Sequence, residues 1–127
     1  MKEENAFEQA LKILHNQVSK MSTFEKAALL LGSLPPEIMI EASMEFSEID
    51  IKMILPEIAR VFDNFSIEVD AVIDEFLRLH GLWPMMEQKG METELLSARF
   101  TYWARRNPRR LGRLLKASWL MEYRDND

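Results

Sequence analysis

One signal recurs along this chain: a serine, asparagine or proline that opens a run in which apolar residues return at three- and four-residue spacing. Ser22-Thr23-Phe24-Glu25 has the capping-box form, in which a hydroxyl satisfies a free amide and Glu25 reaches back. Ser47 with Asp50 repeats it, Ser66 opens a further run, and Asn107-Pro108 pairs a cap with a first-turn proline. Pro35-Pro36 stops one run and starts the next, because a missing N–H costs nothing in a first helical turn. Helical periodicity punctuated this often leaves little room for any other secondary structure.

The runs themselves read as follows. Ala6, Phe7, Ala10, Leu11, Leu14, Val18 and Met21 give one apolar face over residues 5–20. EKAALLLGSL is apolar almost all round and is expected at the buried centre. In PPEIMIEASMEF the core positions are Ile38, Met39, Ala42 and Phe46; Met44 and Met53 also fall at core spacing. SEIDIKMILPEIARVF carries Pro56, whose ring clashes with the preceding turn and predicts a kink or a split. SIEVDAVIDEFLRL buries Ile67, Val69, Val72, Ile73, Phe76 and Leu77, and Gly81 fits the position after its end. LWPMMEQKGM, with Pro84 and Gly90, reads as a connector; TELLSARFTYWARR and NPRRLGRLLKASWLMEY then form two helices. The expected fold is all-α: a compact multi-helix bundle of residues 1–82, a connector over 83–92, and a helical tail of residues 93–127 packed on it.

Charge divides the chain at the same place. Through Gly90 there are eight Lys/Arg against sixteen Asp/Glu; from Met91 there are eight against five. Between Arg99 and Lys116 seven residues are basic and none is acidic, so the two parts are expected to dock or to serve different partners. The chain holds no cysteine, which rules out disulfides and thiolate metal sites. No apolar run resembles a signal peptide or approaches about 18 residues, so a cytoplasmic chain is the expectation.

The basic tail could hold a phosphate backbone, a lipid surface or a protein. Leu111, Leu114, Leu115 and Trp119 fall on one stripe, with Leu120 or Ser118 beside it, while Arg109, Arg110, Arg113, Lys116 and Arg124 lie off it or at its borders. A helix this short needs a surface to fold against. Burying four such side chains contributes about 1.5–3 kcal/mol each; exposed ion pairs contribute about 0–1 kcal/mol. The stripe is therefore expected to set affinity and the arginines Arg109 and Arg113 to orient it. For the receiving groove the expected residues are Leu29, Leu30, Ile38, Ile73 and Phe76. The plainest alternative is an ordinary helical domain whose last helices complete its own core. Nucleic-acid binding is the other functional alternative: Arg99 to Lys116, with Tyr102 and Trp103 interleaved, could pair phosphates and stack bases. The pI near 5.1 and the apolar stripe speak against it.

Catalysis finds little to work with. His15 and His80 are lone, and Asp70, Asp74 and Glu75 lack a calcium-loop pattern, reading instead as a solvated face or an acceptor for arginine. No phosphate loop, metal motif or cofactor motif is present, and none of these groups is expected as a partner.

Two stretches carry a resemblance. EKAALLLGSLPPEI, FSEIDIKMILPEIARV and IEVDAVIDEF, in that order within residues 23–79, resemble the N-terminal domain of the flagellar motor switch protein FliG. The double proline and Pro56 depart from its common pattern. Asn107-Pro108, Leu111, Leu114-Leu115, Lys116, Trp119-Leu120 and the closing Asp125-Asn126-Asp127 are similar to the cytoplasmic C-terminus of the MS-ring protein FliF, with arginines where acids usually follow the proline. The resemblance implies an armadillo-like body with a bound tail, and a non-enzymatic role joining the motor's C-ring to the MS ring at the inner membrane's cytoplasmic face. Its implied partners are flagellar basal-body proteins, with tail docking in cis or exchanged between copies, and with membrane contact through a partner only.

Overall fold

The computed structural model describes residues 9, 20–61, 68–87, 90 and 94–120. Six α-helices run through them: α1 (Thr23–Gly32), α2 (Pro36–Ser43), α3 (Glu48–Val61), α4 (Glu68–His80), α5 (Leu96–Arg106) and α6 (Pro108–Leu115). A 3₁₀ turn, Trp83–Met86, follows α4, and a π turn, Lys116–Leu120, extends α6. Among the described residues there is no strand, so the fold is all-α. The apolar face expected over residues 5–20 and the Ser66 cap lie outside them, apart from Gln9, which is helical, and Lys20.

The caps form as the chemistry demands. Ser47 Oγ accepts from the Asp50 amide and Asp50 Oδ2 accepts from the Ser47 amide, each at 3.1 Å, so a buried carboxylate is satisfied by the backbone it closes. At α1 the Glu25 amide donates to Ser22 Oγ at 3.1 Å, but the Glu25 carboxylate takes the Ser22 hydroxyl rather than a backbone amide. Gly81, at φ 64°, ends α4: its amide reaches Arg78 O and the Leu82 amide reaches Leu77 O at 2.8 Å. This paired closure drives Leu82 into the core, where it is buried.

Four expectations are corrected. Pro56 does not split its helix; α3 continues through it, because Pro56 and Lys52 both face solvent and the carbonyl freed by the missing amide can be hydrated. The helix expected from Thr93 begins at Leu96, with Leu95 extended before it. Asn107 does not cap α6; its side-chain amide donates to Trp103 O at 3.0 Å and closes α5 instead. Met44 and Met53 are exposed while Met39 is half-buried, since α2 and α3 turn those methionines outward.

One apolar cluster extends from Ala27 to Leu120. At its centre is α1, buried from Lys26 to Leu31 and packed on α3, α4 and the π turn. The Lys26 ammonium, itself buried, reaches Glu75 Oε1 at 2.7 Å, which supplies the partner such a charge requires. α2 lies against α6, and α5 lies against α4. The segment expected as a connector starts within the core: Met86 is buried and the Trp83 indole donates to Asp74 Oδ1 at 3.1 Å. No helix among the described residues is long and apolar enough to cross a membrane.

Candidate protein-docking interface

Where the basic tail meets the acidic part of the chain, the pairing follows a rule. Arg105 reaches Glu37 at 3.3 Å, Arg109 reaches Glu41 at 3.3 Å, and Arg113 reaches Glu45 at 3.1 Å. Each pair is 68 residues apart. A constant offset means that partners advance together, so α6 runs parallel to α2, with Arg105 at the end of α5 continuing the series. Arg109 also approaches Glu45 at 3.8 Å and the Met44 sulfur at 3.1 Å. These side chains are mostly half-exposed, so the ladder is a screened rim.

Inside the rim the backbones touch. A Cβ placed on Gly112 would overlap the Ala42 carbonyl oxygen and lie 2.9 Å from the carbonyl carbon. Gly112 is therefore present because α2 and α6 cross there at closer range than any side chain permits. Ala42 is fully buried under that crossing.

The stripe closes over the rest of the core. Leu111 and Leu115 are fully buried, Trp119 and Leu120 almost so, and Leu114 is half-buried against the cluster. At about 100° per residue, Leu120 on a continued α-helix would sit about 140° round from Leu115 and face solvent. The wider i→i+5 turn of Lys116–Leu120 corrects this and brings Trp119 and Leu120 inward together. Trp119 meets Phe76 edge-on, ring centres 5.4 Å apart, and Phe76 meets Phe100 in the same way at 6.0 Å.

A polar link ties α4 to the same turn. His80 Nε2 lies 3.1 Å from Ser118 Oγ, and Ser118 Oγ donates to Leu114 O at 2.7 Å. With its one hydrogen committed, the hydroxyl accepts from His80, which fixes the proton on Nε2. Burial pushes the His80 imidazole below its ordinary value. The ring also packs on Phe76 at 4.6 Å.

Of the expected groove, Phe76 receives the tail directly through Trp119. Ile38 is buried on α2, the helix that faces α6, while Leu29 and Leu30 are buried on α1, which receives the π turn. Ile73 is fully buried on α4. Among the described arginines of the tail, those that reach a glutamate do so on Glu37, Glu41 and Glu45, while Asp74 holds Arg78 and Trp83 and Glu75 holds Lys26. The acceptors are Glu37, Glu41 and Glu45, which sequence reasoning passed over. Their four-residue spacing, matched by Arg105, Arg109 and Arg113, was the available signal. Gly112, a lone glycine within a helical pattern, was another.

The same geometry bears on the alternatives. Three of the arginines needed for phosphate pairing already face glutamates, Arg99 turns to Met86 O, Trp103 is buried, and Tyr102 accepts from Arg106 at 2.7 Å. A lipid surface would need the stripe that the protein itself covers. Among the described residues no group of three His, Asp or Glu side chains is placed to hold a metal ion. Comparison with models of known protein families, with curated proteins and with solved structures finds no match to this chain.

Proposed function

We propose that the chain is a non-enzymatic protein-interaction module in which an acidic helical body holds a basic amphipathic tail. Following its resemblance to the FliG N-terminal domain and the FliF tail, its role is to couple the flagellar motor switch to the MS ring at the cytoplasmic face of the inner membrane. The observation that carries the module reading is the three-step Arg–Glu ladder at constant offset, ending in Trp119 against Phe76. Such an arrangement is helix-in-groove recognition performed within one chain. The flagellar assignment rests on the quoted sequence resemblance alone.

The test is a calorimetric titration of the full chain with purified FliG N-terminal domain and, separately, with the FliF cytoplasmic tail. Binding to at least one is expected; binding of the FliF tail should strengthen when Leu115→Asp unseats the resident tail, whereas binding of the FliG domain, which would use that tail, should weaken. If neither the native chain nor the variant binds either partner, the flagellar assignment fails, whatever the tail does at home.

A further inference from the structure

Charge alone does not determine how the tail sits on α2. Sliding the tail by one helical turn, four residues, would leave two of the three Arg–Glu steps paired, because both series repeat every four residues. Exposed pairs are individually weak, so the loss of one is a small penalty. What such a slide cannot preserve is the seat of Gly112 on Ala42. It would bring Pro108 or Lys116 to the place where the backbone of Ala42 leaves no room for even a Cβ. The crossing therefore breaks a degeneracy that the ladder leaves open.

From this we propose that the side of α2 that α6 covers, continued by Glu45 just past its end, reads helices by pattern. It accepts a basic helix running parallel to it, with arginines at the second and sixth helical positions and glycine at the fifth, as Arg109, Gly112 and Arg113 stand in α6. In this molecule the surface is filled by the chain's own tail, so a partner helix must carry that pattern and exchange with the resident one. Glu41 and Glu45 select charge, Ala42 selects size, and Phe76 beyond them takes an aromatic anchor. This deepens the module reading and does not depend on the flagellar one.

The probe is a fluorescent synthetic peptide with the sequence of residues 95–120, titrated into the full chain and into its Leu115→Asp variant and read by anisotropy. The native peptide is expected to bind saturably, more weakly to the native chain because the resident tail competes at an effective concentration of roughly millimolar. A peptide with Gly112→Ala is expected to bind at least about tenfold more weakly, the usual order for one methyl forced into a packed contact. Alanine favours helix over glycine, so without the size filter the same change would tighten binding. A peptide with Arg109→Glu and Arg113→Glu should bind weakly to the native chain and recover on a chain carrying Glu41→Arg and Glu45→Arg. Equal or tighter binding of the Gly112→Ala peptide overturns the proposal. So does absence of saturable binding of the native peptide to both chains, or a charge-swapped pair that does not recover. Since the probe is the chain's own sequence, failure of flagellar partners to bind would leave this result standing.

Discussion

Trp119→Ala separates the two energies at the tail interface. The indole is almost fully buried and meets Phe76 edge-on at 5.4 Å. Removing such a ring from a packed site costs about 3–5 kcal/mol, including the cavity left behind. Within that, the edge-to-face pair itself is worth about 0.5–1.5 kcal/mol. With a urea dependence of about 1–3 kcal/mol per molar, the midpoint should fall by roughly 2 M. The assay is urea unfolding followed by far-ultraviolet circular dichroism, because Trp83 and Trp103 complicate a fluorescence reading. Ile49→Ala, at a side chain 67% exposed, serves as the control and should move stability by no more than about 0.5 kcal/mol. A Trp119→Ala loss below about 1 kcal/mol would refute the argument that the apolar stripe holds the tail. So would finding that neutralising the arginine ladder costs as much as removing the ring.

Replacing Arg105, Arg109 and Arg113 together with glutamine should cost about 0–1 kcal/mol per pair at low salt, and the difference should shrink toward zero near 1 M salt, as parallel urea titrations at both ionic strengths would record. Pro56→Ala should raise stability by about 1–3 kcal/mol, since α3 is continuous there and regains an amide, and thermal unfolding measures it. For His80, a folded-state pKa lowered by burial means the unfolded chain binds its proton first. Its contribution to stability is therefore complete above the ordinary histidine value of about 6.5 and declines as pH falls from there toward the lowered folded value. Proton NMR titration of the imidazole should show a midpoint below that of a histidine peptide, and a midpoint above it would reverse the sign.

Legibility followed the range of the physics. Helix starts at Ser22 and Ser47 and the stop at Gly81 could be read because each depends on atoms within five residues. The buried faces of α1 and α4 were legible from spacing, and the tail stripe of Leu111, Leu115 and Trp119 was legible for the same reason. Where the reading failed, a neighbour made the decision. Asn107 had two helix ends within reach, and its side chain closed the earlier one. Spacing left Leu120 and Ser118 as alternatives beside the stripe, and the π turn decides between them by rotating Leu120 inward. The acidic half of the ladder lay in plain sight as Glu37, Glu41 and Glu45, yet only the packing of α2 on α6 picks them over Asp70, Asp74 and Glu75.

The scale of the stripe has a consequence for how the tail can leave. Leu111, Leu115, Trp119 and Leu120 are all buried, and at about 1.5–3 kcal/mol each they contribute about 6–12 kcal/mol before ordering costs. A whole domain of this size is stable by only about 5–15 kcal/mol. The tail is thus part of the core it docks on, and α1, α2 and Phe76 would be left with wet apolar surface without it. Residues 1–90 alone should accordingly be loosely packed, binding a hydrophobic dye and unfolding without a sharp transition. Adding a peptide of residues 91–127 should quench the dye and restore a cooperative transition. If residues 1–90 instead unfold as sharply and at the same urea concentration as the full chain, the tail is an accessory to a finished body. Otherwise the tail cannot simply vacate its seat: one helix must take the place of another, and the pattern read by α2 decides which helix that can be.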